Sequence, residues 1–100
     1  MKASLSRQAV RDLTEAARWI AQDNPSAARA FRKSVDDAAA RIGRQTDIGA
    51  PRPHLAPAPY RFLVLSGFPY ILVYNAARRP PRIARILHGA RDLPELLGDL

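Results

Sequence analysis

The dipeptide Asn24-Pro25 lies inside a long stretch of helical periodicity and cuts it in two. Asn is a preferred N-cap and Pro is tolerated only in a first helical turn, so one helix must end before the pair and another begin at it. In the first, Ser6 offers an N-cap, and Val10, Leu13, Ala17 and Ile20 recur at i, i+3, i+7 and i+10, one helical face. Trp19 falls outside that stripe and is expected to cover an edge of the core. In the second, Ala28, Phe31, Val35, Ala38 and Ile42 alternate spacings of three and four up to Gly43, which reads as a helix stop. So short a connection makes the two an antiparallel hairpin, with alanines allowing close approach.

The rest of the chain has a different period. Residues 2–6, "KASLS", alternate polar and apolar and read as a short strand. Residues 46–59, "TDIGAPRPHLAPAP", hold prolines at 51, 53, 57 and 59 and read as an extended linker, with His54 exposed in it. Residues 60–75 contain two β-rich runs broken at Ser66-Gly67, a hairpin signal, with Pro69 restricting the start of the second. A turn over 76–82 leads to a third strand at 82–88, completing an antiparallel meander. Asp92 and Glu95 then have the spacing of a capping box for a short terminal helix. The expected fold is α+β, one domain over residues 1–100. A helical hairpin packs on a small antiparallel sheet made of the N-terminal strand and the meander. In "YILVYN", Tyr70, Leu72 and Tyr74 lie on one side and Ile71 and Val73 on the other, so both faces are apolar. The hairpin covers one face. The second therefore calls for the C-terminal segment or a partner chain, and a free chain with that face bare is expected to aggregate.

Composition narrows the function. There are no cysteines and only two histidines, His54 and His88, so neither a disulfide nor an all-protein zinc site is expected. Phosphate-binding glycine loops, nucleophile elbows and metal motifs are missing, and no cofactor is implied. The absence of a long apolar run, and charges where an export signal needs its apolar core, point to a cytoplasmic protein without a membrane segment. The net charge is +7, and no acidic residue falls between Asp47 and Asp92. Arg52, Arg61, Arg78, Arg79, Arg82, Arg85 and Arg91 all lie in that interval, a field that attracts a polyanion or an acidic protein.

The stretch "RILHGARDLPELL", residues 85–97, is where catalysis would have to reside. His88 is the candidate general acid–base, with arginines such as Arg85 and Arg61 to stabilise a phosphorane-like transition state. Strict strand alternation puts Arg82, Ala84, Ile86 and His88 on one face and Ile83, Arg85 and Leu87 on the other. Without a bulge, His88 and Arg85 are therefore separated. The alternative is structural: His88 ends the strand and bonds backbone near Gly89, while Arg91 and Asp92 cap the helix.

The element order, with "NPSAARAF" opening the second helix, "GAPRPHLAPAPYRFLV" entering the meander and "RILHGARDLPELL" at the end, resembles the RelE/ParE superfamily of bacterial toxins, and within it the ParE branch. The resemblance spans essentially the whole chain. It implies the toxin of a type II toxin–antitoxin system that inhibits DNA gyrase by protein–protein contact, without catalytic residues of its own. It also implies a cognate ParD-like antitoxin, acidic and of ribbon-helix-helix type, with DNA bound only through the toxin–antitoxin complex. The RelE branch implies instead a metal-free, ribosome-dependent messenger endonuclease using His88, Arg85 and Arg61. The position matching that branch's late Tyr or His is Arg91, a poor general base. The segment before the meander, "PRPHLAPAP", lacks the lysines such nucleases carry there. A third possibility is a module that only binds its antitoxin. Residues expected to meet partners are Trp19, Tyr60, Arg61, Tyr70, Tyr74, Arg82, Arg85, His88 and Arg91.

Overall fold

The computed structural model describes residues 1–90. In chain order it contains β1 (Ser4–Leu5), α1 (Arg7–Asp23), α2 (Pro25–Arg44), β2 (Tyr60–Val64), β3 (Tyr70–Asn75) and β4 (Arg82–His88). The architecture is the expected α+β one. The sheet has the order β1-β4-β3-β2. It is mixed rather than wholly antiparallel: β1 lies parallel to β4, with Ser4 opposite Arg82 and Leu5 opposite Ile83. The meander is antiparallel throughout. The capping box at Asp92 and Glu95 lies outside the described residues.

Both helix starts obey their local chemistry. Ser6 Oγ accepts from the Ala9 N–H at 3.0 Å, and Asn24 Oδ1 accepts from the Ala27 N–H at 3.1 Å. Asn24 alone joins the helices, closing α1 and opening α2. Two details of the helical reading change. The buried face of α1 is formed by Ala9, Ala16 and Ala17, whereas Val10 is 49% exposed. The apolar stripe is rotated because an acidic residue, Asp12, lies between these alanines and faces the sheet. Gly43 is not a stop: α2 runs on to Arg44, and a Cβ at Gly43 would come within 1.5 Å of the Met1 carbonyl oxygen. The glycine lets the N-terminal segment cross the helix, where the Ala3 N–H donates to the Ala39 carbonyl.

The main core lies between helices and sheet, where Phe31, Val35 and Ile42 of α2 meet Leu72, Tyr74, Ile83 and Ile86. Fully burying side chains of this size contributes roughly 1.5–3 kcal/mol each, which the small domain needs. Ile83 and Ile86 share this core because of a bulge in β4. Tyr74 faces Ile83 and Val73 faces Arg85, leaving Ala84 as the extra residue. Strict alternation along "RIARILH" therefore fails. Ser6 Oγ donates to the Ala84 carbonyl at 2.7 Å, so one serine both caps α1 and satisfies the bulge.

The opposite sheet face is closed from within the chain. Leu55 and Ala56 pack against Phe62, Val73 and Leu87, and Val73 and Leu87 are at most 1% exposed. Residues 46–59 are thus a covering loop as well as a linker, and the bare face inferred from "YILVYN" does not exist. The expectation of aggregation loses its basis with it. The loop also shields the sheet edge: Ala50 and Phe62 exchange backbone hydrogen bonds at 2.8 and 2.9 Å. No helix among the described residues is long and apolar enough to cross a membrane.

Candidate functional site

Arg85 is 6% exposed and its guanidinium is engaged by α1. Its Nε donates to Asp12 Oδ2 at 2.8 Å and its Nη2 to Oδ1 at 3.0 Å, a bidentate fork. Asp12 Oδ2 also accepts from the Ile86 N–H at 2.9 Å. The bulge at Ala84 re-aims the strand here, and the carboxylate fills the gap in backbone pairing. Arg85, expected at a partner surface or in a nuclease centre, is a buried tie between α1 and β4. Asp12 was not anticipated as its partner. The available signal was a charge spaced three and four residues from Ala9 and Ala16, positions that turn out buried; such a charge demands a cation.

His88 ends β4, half-buried, and stands edge-on to Tyr70 with ring centroids 5.4 Å apart. Tyr70 itself is 4% exposed and leans on Phe31 at 5.1 Å. It packs in the core, with little surface left for a partner. Tyr74 is likewise withdrawn: it is fully buried, donates from its hydroxyl to the Thr46 carbonyl at 2.8 Å and accepts from the Gly49 N–H at 2.9 Å. Burial raises its phenol above the usual 10.0, against the lowering effects of the Gly49 hydrogen bond and the nearby Arg61.

The three residues named for a nuclease do not converge. Arg61 lies opposite Tyr74 while His88 lies opposite Tyr70. That separates their backbones by about 13 Å along the sheet and about 10 Å across it. Arg61 Nη1 donates to the carbonyls of Gly49 at 2.7 Å and Asp47 at 3.3 Å. Arg85 is bound to Asp12. Among the other expected contact residues, Tyr60, Arg61 and Arg82 are half-buried, and Arg91 lies outside the described residues.

Trp19 does not cover the core edge; it is 62% exposed. It borders a cleft of about 460 Å³ between α1 and β4, which Gln8, Glu15, Tyr70, Ile86 and Arg85 also line. An exposed tryptophan beside an open cleft on a rigid helix is the kind of anchor that dominates protein interfaces. A second cleft, of about 420 Å³, opens at the other end of the sheet between the covering loop and the β3–β4 turn.

Comparison with known proteins bears on this geometry. A family model described as "ParE toxin of type II toxin-antitoxin system, parDE" matches residues 3–93. Among solved structures, a chain from the chromosomal ParDE TA system of P. aeruginosa is similar in fold, with a TM-score of 0.69 and 21% identity. The match covers 88% of this chain and 95% of that one. A comparison with curated protein sequences returns no match. The family match runs through the hairpin, the covering loop and the whole meander: the chain belongs to the ParE toxin family of type II toxin–antitoxin systems.

Proposed function

We propose that this toxin acts by protein–protein contact with DNA gyrase, not by catalysis, and that an acidic ParD-like antitoxin neutralises it. The observation carrying this reading is the Asp12–Arg85 fork, which commits Arg85, three residues before His88 on the same strand, to holding the fold. A metal-free nuclease needs its base and its cations around one phosphate, and Arg61 lies at the opposite end of the sheet from His88, two strands away. The antitoxin, a ribbon-helix-helix protein that supplies the complex's DNA contacts, lays an amphipathic segment along α1 with an apolar residue against Trp19. Acting inside the cell on gyrase and paired with an antitoxin, the protein is placed in the cytoplasm.

Induction without antitoxin tests this in cells. An SOS response with intact messages is expected. Messages cut at A-site codons, with the cuts lost in His88→Ala, would establish the nuclease instead. Harmless expression with tight antitoxin binding would leave only a partner-binding module.

A further inference from the structure

The arginines of the acid-free interval are not spread evenly; the fold gathers most of them at one end of the sheet. Arg82 starts β4 opposite Asn75, where β3 ends, and Tyr60 starts β2 opposite the same Asn75. The turn carrying Arg78 and Arg79 hangs from this end, and the Ala76 N–H donates to the Pro59 carbonyl, tying the turn to the covering loop. Arg52 stands in that loop between Pro51 and Pro53, both of which line the second cleft. Arg61 and Tyr60 line it from β2, and Ala77 from the turn. Among the described residues one acidic side chain, Asp47, lines the same cleft.

The cleft is preorganised. Tyr74 clamps both Thr46 and Gly49, and Arg61 is held by the carbonyls of Gly49 and Asp47. Two of the five N–H donors of the Arg61 guanidinium are used in this way, which leaves three without a partner among the described residues. Such a fixed, half-buried fork binds one planar oxyanion at little entropic cost. The remaining wall is mostly proline and alanine, a socket for an apolar side chain. Arg52 and Arg78, each next in sequence to a lining residue, are exposed at its rim and enter no ion pair among the described residues.

We propose that this arginine-rimmed cleft is the surface that docks the toxin's target, and that its occupant is an acidic protein segment anchored by one apolar side chain. The proposal rests on the contact-acting reading above and adds to it where contact is made. A nucleic-acid strand fits less well. It needs a row of phosphate contacts and aromatic platforms, whereas Asp47 interrupts the row, Tyr60 is the one aromatic in the lining, and Arg79 Nη1 is turned back onto the carbonyls of Ala76 and Arg78. The Trp19 cleft lies on another part of the molecule, between α1 and β4, so antitoxin and target contacts are separable.

The test compares the wild-type protein with Arg52→Glu/Arg78→Glu, which reverses the rim charge, and Ala77→Trp, which fills the socket. Gyrase supercoiling inhibition, antitoxin binding, thermal unfolding and binding to labelled DNA and RNA oligonucleotides are all measured. Both variants are expected to need roughly tenfold more protein for half-inhibition, as loss of interfacial charge and anchor contacts requires. Antitoxin binding and melting temperature should stay unchanged. Equal inhibition by wild type and both variants overturns the proposal. Wild-type binding to oligonucleotides that the charge reversal abolishes also overturns it, in favour of a nucleic acid. If the wild type leaves gyrase untouched, the gyrase reading fails separately. Growth arrest in cells then decides the surface: arrest lost in both variants retains it for another acidic target, and arrest preserved removes it.

Discussion

Removing the Asp12 carboxylate should unfold this protein more effectively than most single core truncations. In Asp12→Ala, the Arg85 guanidinium loses both contacts of the fork and the Ile86 N–H loses its acceptor. The pair is deeply placed, with side-chain exposures of 7% for Arg85 and 11% for Asp12. Breaking one partner of such a buried pair costs about 3–5 kcal/mol, because a desolvated charge is left behind. Unfolding entropy near 2.1 cal/mol/K per residue gives roughly 0.2 kcal/mol/K for a domain of this size. A loss of about 3 kcal/mol therefore lowers the melting temperature by about 14 °C. The sharper test is the double variant Asp12→Leu/Arg85→Met. Replacing both charges by apolar groups of similar size is often neutral or stabilising, so it should recover most of the loss. Thermal unfolding followed by circular dichroism measures both. A fall of less than about 3 °C in Asp12→Ala would mean that the fork contributes no more than an exposed ion pair, and would refute its role as a buried tie.

Tyr74 gives a pH dependence with a definite sign. Its phenol is raised above 10.0 in the fold, so the neutral form is favoured there. That stability is fully present below the unfolded value of about 10 and is lost as pH rises through the folded one. Urea unfolding from pH 8 to 11 should show the wild type weakening, and Tyr74→Phe weakening less steeply. At pH 8, Tyr74→Phe should be the less stable by about 1–3 kcal/mol, since the Gly49 N–H and Thr46 carbonyl lose their hydroxyl. Parallel curves would contradict the burial argument. Trp19→Ala should weaken antitoxin binding by roughly thirtyfold, a 2 kcal/mol hot spot, without lowering the melting temperature, because the indole is 62% exposed. Calorimetric titration that shows no change removes Trp19 from the interface.

Much of the architecture was readable from local chemistry. Asn24-Pro25 fixed the hairpin because its capping requirement involves only neighbouring residues. The meander was readable because Ser66-Gly67 supplies a turn, with Gly67 at φ +82° as such a turn requires. What sequence could not give were decisions made across the fold. The parallel pairing of β1 with β4 joins segments with the helical hairpin, the covering loop and the first two meander strands between them. Burial of the second sheet face depends on Leu55 and Ala56, apolar residues hidden in a stretch that reads as linker. The bulge at Ala84 has no local signature, yet it breaks the face assignment and points Arg85 at Asp12. The same effect governs the site. Exposure separated Trp19 and Arg61 from Tyr70, Tyr74 and Arg85, though all five are residue types that partner surfaces favour. Arginines distant along the chain became one surface through strand register, which sequence spacing does not encode.

Direct binding of the purified toxin to purified gyrase is the measurement closest to the central claim. Action by contact requires a complex that forms in the absence of nucleotide turnover, with a dissociation constant of roughly 1 μM or tighter, and loss of supercoiling over the same concentration range. No complex at about 10 μM, from a toxin that still arrests growth and still binds its antitoxin, would contradict it.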